Sequence, residues 1–191
     1  CFNPRMVQRG DGVWILWFNS PADGDRGGAN SYNVMGCNGP LGPCGAEAGP
    51  PHGSTHKPAL AICRGNGDFS IVVEAGSGWI VCTTGSQTLS EEQLGYWWAD
   101  GTGVGSRNLA GLANVETPGV YRDPATGRWV LTYADPDCGY CGGTATGYAT
   151  AASVAGPWSA PANTGAAAVP VTGRRDVTAT SCGGQPRTVF V

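Results

Sequence analysis

Short apolar runs recur along the chain, and turn-forming residues separate them. Gly, Pro, Asn and Asp lie between the runs, which is typical of strands joined by turns. Helical periodicity is nearly absent, and the best stretch, Leu89–Trp98, predicts at most a short turn of helix. The pattern therefore predicts an all-β protein. Its predicted strands are Met6–Val7, Val13–Phe18, Tyr32–Met35, Ile71–Val73, Trp79–Cys82, Val120–Tyr121, Trp129–Tyr133 and Thr188–Val191.

Three of these runs share one repeat, in which a glycine-bearing turn precedes Trp and alternating aliphatic residues. The three tryptophans are Trp14, Trp79 and Trp129, and we expect them in the core. A strand-like segment precedes each of them, and a fourth such segment follows near the end of the chain. The segments open at positions 2, 68, 116 and 185, which lie 66, 48 and 69 residues apart. This spacing is too irregular for a solenoid and favours a β-propeller with long loops.

The first strand of each propeller blade lines a central channel, so the residues that open the segments should converge there. These residues are Phe2, Asp68, Glu116 and Gln185. Two carboxylates from separate blades suit glycoside cleavage, which needs an acid for the leaving oxygen and a second group beside it. The alternative is local: Asp68 makes a turn and Glu116 caps a loop.

Charge and composition exclude several classes of protein. The chain has 11 basic and 14 acidic side chains and a formal net charge of −3, which argues against nucleic acid or an anionic membrane as partner. No stretch approaches the roughly 18 apolar residues of a membrane span. Gly and Pro are abundant, but seven Trp, six Tyr and four Phe supply rings for a core. We therefore expect a folded protein that is rich in loops.

Eight cysteines, an even number, favour disulfides and an oxidising, extracellular compartment. Cys37 and Cys44 flank a tight turn and form a plausible local pair, whereas the remaining connectivity stays open. Cys138 and Cys141 form a CxxC pair, which we interpret as a structural disulfide. A redox role is the alternative, and it would require free thiols.

Four segments carry a resemblance to a known family. They are Gly67-Asp68-Phe69-Ser70-Ile71, Val115-Glu116-Thr117-Pro118, Tyr148-Ala149 with Ser153 and Gly156-Pro157-Trp158, and Gly184-Gln185-Pro186-Arg187-Thr188-Val189. With these segments in matching order, the sequence from about Asn3 to Val191 resembles glycoside hydrolase family 43, and most of all its branch of exo-β-1,3-galactanases. The resemblance implies a five-bladed β-propeller that acts on arabinan, xylan or galactan side chains.

The resemblance also implies roles for three residues. Glu116 matches the general acid of the family, and Asp68 matches the carboxylate that orients this acid and adjusts its acidity. Gln185 matches a Gln that positions water in the galactanase branch, and inverting chemistry is implied. No organic cofactor is implied, and His52 and His56 are interpreted as loop histidines rather than metal ligands.

The sequence departs from the family at two points. The first-blade Asp that serves as general base in most members is absent, and Phe2 stands where the galactanase branch carries Glu. The length suits about three to four of the five blades. We therefore expect residues 1–191 to be a single propeller domain that lacks sequence at both ends or is completed by a second polypeptide.

Tyr96, Trp97 and Trp98 are candidate sugar-stacking rings, because aromatic faces pack against the C–H face of a pyranose. Packing between blades is the alternative for these rings. Asp123, Asp135 and Asp137 lie beside Pro or close to Gly, which predicts turns.

Taken together, the sequence predicts a secreted glycoside hydrolase that cleaves a terminal bond in a galactan- or arabinan-type polysaccharide. The alternative is a non-catalytic propeller that binds carbohydrate or serves as a structural subunit.

Overall fold

The computed structural model describes residues 2–21, 30–45, 56–137, 143–161, 174 and 176–185. Within them the chain is almost entirely β-structure, with two 3₁₀ helices at Leu109–Gly111 and Ser181–Gly183. Neither described helix is long or apolar enough to cross a membrane. The strands are β1 (Phe2–Gln8), β2 (Trp14–Pro21), β3 (Asn30–Cys37), β4 (His56–Leu60), β5 (Gly65–Glu74), β6 (Ser77–Thr84), β7 (Leu89–Gln93), β8 (Glu116–Arg122), β9 (Trp129–Asp135) and β10 (Ala145–Ala151).

The all-β prediction is confirmed, with differences in detail. Strand β4 was not predicted, and His56, interpreted as a loop histidine, is its first residue. The stretch predicted as a turn of helix contributes strand β7, because its residues pair with β6 from Trp79 to Thr83. Strand β10 escaped prediction because its sequence, Ala-Thr-Gly-Tyr-Ala-Thr-Ala, buries mainly small residues. The predicted strand Thr188–Val191 lies outside the described residues.

The strands form three antiparallel sheets, which we call blades 1, 2 and 3. Blade 1 contains β1–β4, blade 2 contains β5–β7, and blade 3 contains β8–β10. The first strands of the blades lie together, since β5 contacts both β1 and β8. Side chains join them: Arg5 Nε donates to the Phe69 carbonyl at 3.3 Å, and Ser70 Oγ donates to the Pro118 carbonyl at 2.7 Å. This is the arrangement expected around a propeller axis.

Blade 2 lies between the other two and is covered on both faces. Strand β6 is therefore apolar at consecutive positions rather than alternating ones. Trp79 and Val81 pack in the cluster shared with blade 3, whereas Ile80 and Cys82 pack in the cluster shared with blade 1. The core thus consists of two layers, one on each side of this blade.

The outer blades bury their inner faces toward blade 2. In β9 the buried residues alternate at Trp129, Leu131 and Tyr133, and the residues between them are half-buried. Trp79 and Trp129 are in the core, as predicted. Trp14 differs: it is half-buried, because the inward positions of its strand are Ile15 and Trp17.

Two tight turns show how local sequence closes the blades. Ala75 and Gly76 connect β5 to β6 with φ of 48° and 81°, the positive values of a two-residue type I′ hairpin turn. Asp123 makes its predicted turn after β8, since its carboxylate accepts from Ala125 N at 3.0 Å and Thr126 Oγ1 at 2.5 Å. Asp135 does not follow the turn prediction, because it is fully buried in an ion pair.

Two disulfides lie in the described residues. Cys37 is bonded to Cys44, as the local pairing predicted, and Cys63 is bonded to Cys82 across the start of blade 2. Cys182 is exposed and has no disulfide partner among the described residues. Cys138 and Cys141, the predicted CxxC disulfide, lie outside them.

Candidate active site at the bulged starts of the first strands

The first strand of every blade has an irregular register near its start. The shifts fall between Phe2 and Arg5 in β1, between Gly65 and Phe69 in β5, and between Glu116 and Gly119 in β8. A β-bulge bends its strand and redirects the side chains beside it, and bulges are common next to active sites. Asp68 and Glu116 both lie in these irregular segments.

Register makes Asn3 and Thr117 equivalent positions of blades 1 and 3. Each follows the first paired residue of its strand, precedes a proline and has a positive φ, 47° at Asn3 and 58° at Thr117. Asn tolerates this left-handed region, whereas a β-branched residue there is a genuine outlier. Such strain persists where the surrounding structure enforces it, and it is often found at functional sites.

Asp68 of blade 2 is held from both sides by these two residues. Thr117 Oγ1 donates to Asp68 Oδ2 at 2.9 Å, and Asn3 Nδ2 donates to Asp68 Oδ1. Thr117 is itself fixed, because its backbone N donates to Thr83 Oγ1 at 3.1 Å. The Asp68 carboxylate is therefore oriented by one hydrogen bond from each neighbouring blade.

Glu116 immediately precedes Thr117 and contacts the remaining predicted residue. Gln185 Nε2 donates to Glu116 Oε1 at 2.7 Å, and both side chains are half-buried. Gln185 follows the Ser181–Gly183 helix, and the preceding Gly184 carbonyl accepts from Thr144 N at 3.1 Å. The structure thus brings Asp68, Glu116 and Gln185 into one site, with Thr117 as the link.

The Asp68 charge also affects its surroundings. Burial, and to a lesser degree the negative charge of Asp68, raise the pKa of Tyr32 above its usual range. The phenol stays neutral and donates to the Gly67 carbonyl at 2.9 Å, next to Asp68. This bond supports the irregular segment of β5 from the side of blade 1.

Sequence reasoning missed Asn3 and Thr117. The prediction compared the first residues of the segments, so Phe2 was matched with Glu116. The side chain of Phe2 lies outside the described part of the structure. The shared signal was one position further along, where Asn3-Pro4 and Thr117-Pro118 carry the same Xaa-Pro pair. Blade 1 contributes an amide to this site, through Asn3.

The three predicted stacking rings are not part of this site. Trp98 is 3% exposed and packs in the core, where its carbonyl accepts from Trp17 Nε1 at 3.0 Å. Tyr96 and Trp97 are exposed, but they lie near the β5–β6 turn, at the opposite end of blade 2. Asp68 and Glu74 are six positions apart in β5, which at about 3.3 Å per residue separates the two ends by roughly 20 Å.

A buried acidic pair lies at the end of β9. Arg174 bonds Asp135 through two nitrogens, at 2.5 and 2.7 Å, and Asp176 forms a hydrogen bond with Asp135. Burial, then the charge of Asp135, raise the pKa of Asp176 to about 7. Arg174 therefore pairs with Asp135, and Asp176 beside them keeps its proton into the neutral range.

Comparison with solved structures shows which known folds the chain resembles. No protein-family model matches the sequence, and no curated protein matches it. An exo-β-1,3-galactanase from Phanerochaete chrysosporium, crystallised with galactose, superposes with a TM-score of 0.62 at 20% identity over 83% of this chain. A second exo-β-1,3-galactanase, from Clostridium thermocellum, gives 0.63 at 15% identity over 83% of this chain.

A third solved structure, a family 43 β-1,3-galactosidase, superposes with a TM-score of 0.69 at 14% identity over 98% of this chain. The chain spans 34% of each galactanase and 36% of the galactosidase, about a third of their length. The likeness shows the fold of the family 43 structures. The predicted propeller fold is confirmed, with three blades in the described residues.

Proposed function

We propose that the chain belongs to a glycoside hydrolase that cleaves a terminal glycosidic bond, with Glu116 as general acid. The observation that carries this proposal is the hydrogen-bonded set Asp68, Thr117, Glu116 and Gln185 at the bulged starts of adjacent first strands. Hydrolysis of a glycosidic bond needs a proton donor for the leaving oxygen and a water directed at the anomeric carbon.

In the proposed reaction, Glu116 gives its proton to the glycosidic oxygen as the bond from that oxygen to the anomeric carbon breaks. A water molecule forms the new bond to the anomeric carbon and releases its proton to solvent. The hydrogen bond between Gln185 and Glu116 leaves no room for a sugar, so in this proposal it opens when substrate binds between the two side chains. Gln185 then positions the water on the opposite face of the sugar, because an amide orients water well but is a poor base. Attack opposite to the leaving group inverts the anomeric configuration.

Asp68 acts as a positioning residue in this proposal. It is fixed by Asn3 and Thr117, and Thr117 is the residue that follows Glu116. The position of the Asp68 carboxylate is thereby coupled to the backbone that carries the acid. A small displacement of an acid can cost much of its catalytic effect, so this coupling supports proton transfer.

The substrate class we infer is a galactan- or arabinan-type polysaccharide, and we infer that the protein is secreted. Structures with the same fold include the two exo-β-1,3-galactanases and an endo-1,5-α-L-arabinanase from Thermotoga petrophila. The two disulfides suit an oxidising compartment.

The test is release of sugar from β-1,3-galactan, arabinan and xylan by the whole protein and by Glu116→Gln. The amide keeps the shape of the side chain but lacks the acidic proton, so we expect release to fall by about 100-fold or more. Asp123→Asn, the same type of exchange in the turn after β8, is the control and should release sugar at the parent rate. Equal release by the parent and Glu116→Gln would refute the acid assignment.

A propeller that binds carbohydrate without cleaving it is the second candidate. The described part of the site holds two carboxylates, Asp68 and Glu116, and amides that include Asn3, Asn19 and Gln185. Amides hydrogen bond to sugar hydroxyls but do not accept a proton from water readily. Binding of a polysaccharide by the parent with no release of sugar would favour this candidate.

A further inference from the structure

An exposed aromatic pair and a cavity lie together at the end of blade 2 that is remote from Asp68 and Glu116. Tyr96 is 83% exposed and Trp97 is 63% exposed. Their rings meet edge to face, with centroids 4.7 Å apart. The cavity has a volume of about 460 Å³, within the range of small-molecule sites, and Tyr96 forms part of its wall.

Arg9 holds the aromatic pair in place. Its guanidinium lies 5.1 Å from the centre of the Trp97 ring, and its Nη1 donates to the Trp97 carbonyl at 2.6 Å. Arg9 also forms a bidentate pair with Asp11, at 2.9 and 2.7 Å. The blade 1 hairpin therefore braces a loop of blade 2, and the ring positions are set without a ligand.

The loop that carries the rings is closed by backbone hydrogen bonds. Trp98 N donates to the Gly95 carbonyl at 2.8 Å, and Gly95 N donates to the Asp100 carbonyl at 2.8 Å. The buried ring of Trp98 anchors this turn in the core. Ligand binding would cost little conformational entropy, because this surface is already ordered. A preformed surface binds more tightly for that reason.

The chemistry of the cavity indicates a neutral ligand rich in hydroxyl groups. Arg9 and Asp11 compensate each other in charge, and uncharged polar side chains complete much of the wall, namely Ser77, Gln93 and Thr102. An exposed ring beside such groups suits a molecule with an apolar C–H face and polar edges. A pyranose has both features.

We propose that this surface is a second carbohydrate-binding site, in which Tyr96 stacks on a sugar ring and the cavity accepts the neighbouring sugar. It is separate from the candidate active site, because it lies roughly 20 Å along β5 from Asp68. The choice of sugar as ligand rests on the proposed function. The site would hold a neutral polysaccharide and leave the acid site unoccupied.

Affinity electrophoresis of the whole protein through gels that contain β-1,3-galactan, arabinan or xylan tests this proposal. We expect at least one polysaccharide to retard the parent, and Tyr96→Ala to weaken the apparent affinity about tenfold. Tyr96→Phe keeps the ring and should retain most of the retardation. Leu41→Ala, a truncation at a fully exposed apolar residue elsewhere, should match the parent.

Glu116→Gln separates this proposal from the proposed function. Retardation that survives Glu116→Gln but not Tyr96→Ala supports the second site, whether or not sugar is released. If Tyr96→Ala is retarded like the parent, or if no polysaccharide retards the parent, the second site is overturned. Sugar release that depends on Glu116 would then still support the active site.

Discussion

Thr117 holds a backbone conformation that β-branched residues rarely adopt, and its hydroxyl bonds the carboxylate of a neighbouring blade. The two facts belong together. The bulge in β8 turns Thr117 toward Asp68, and the same bulge places Glu116 at the start of the strand. The strain at one residue is thus offset by contacts that align the two acidic groups.

Thr117→Val should separate the positioning role of this hydroxyl from its packing role. Valine keeps the branched shape but lacks the hydroxyl that donates to Asp68. The carboxylate thereby loses a hydrogen bond, and a hydrogen bond to a charged group contributes about 1.5–3 kcal/mol. We expect kcat to fall about tenfold or more with KM nearly unchanged. Thr117→Ser retains the hydroxyl and should recover most of the activity. If KM and kcat fell by the same factor, and did so in Thr117→Val and in Thr117→Ser alike, the result would contradict the positioning role.

Asp176 gives the folded protein a pH-dependent stability. Its pKa in the folded state is about 7, whereas an unfolded Asp titrates near 3.9. Between these values the folded state holds a proton that the unfolded state has released. The free energy of unfolding should therefore decrease as the pH rises from about 4 to about 7, and should level off above that range.

Urea unfolding at several pH values between 4 and 8 measures this effect. Asp176→Asn mimics the protonated side chain and should flatten the decrease, while the groups that face it, Asp135, Arg174 and Tyr133, remain. Asp123→Asn is the matched control: its carboxyl is exposed with a lowered pKa, so it should leave the slope above pH 4 unchanged. An unchanged slope in Asp176→Asn would count against a proton held by Asp176 in the folded state.

At the scale of elements, Glu74 at the end of β5 joins blade 2 to blade 3. Trp129 Nε1 donates to its carboxylate at 2.5 Å, Ser153 Oγ at 2.7 Å and Val154 N at 3.2 Å. One side chain thus accepts from β9 and from the turn after β10. The tether complements the apolar layer formed by Trp79, Leu131 and their neighbours.

Glu74→Ala should lower the free energy of unfolding by about 3 kcal/mol, because it leaves the indole and hydroxyl donors without an acceptor. Glu74→Gln keeps one carbonyl oxygen and should lose only about 1 kcal/mol. Chemical unfolding, with near-ultraviolet circular dichroism to follow Trp129, measures both. A loss in Glu74→Ala no larger than that in Glu74→Gln would indicate that the tether contributes little.

The sequence predicted where the strands lie better than which neighbouring blade their side chains face. Periodic Trp and aliphatic residues located β2, β6 and β9, because burial in a sheet imposes such patterns. The repeat did not reveal that Trp79 faces blade 3 while Trp129 faces blade 2, since a shift of one residue reverses the face. Long-range contacts decide that register, and the bulges that hold Asn3 and Thr117 depend on them as well.

At the scale of the whole molecule, the two proposed sites lie at opposite ends of the blades. The acid site is at the starts of β5 and β8, and the aromatic surface adjoins the β1–β2 and β5–β6 turns. A polysaccharide held at the aromatic surface raises the local concentration of chain ends near the acid site. Such an effect depends on the length of the substrate.

Tyr96→Ala should therefore impair cleavage of polymers but not of short oligosaccharides. We expect KM for β-1,3-galactan to increase several-fold in this variant, because anchoring is lost while the acid site is intact. Hydrolysis of β-1,3-galactotriose should match the parent, since a trisaccharide in one site does not reach the other across roughly 20 Å. Thr117→Val should give a different pattern, in which hydrolysis of β-1,3-galactan and of β-1,3-galactotriose is slowed by the same factor. If Tyr96→Ala slowed the trisaccharide as strongly as the polymer, the aromatic surface would have to act on the acid site itself, and the two sites would not be independent.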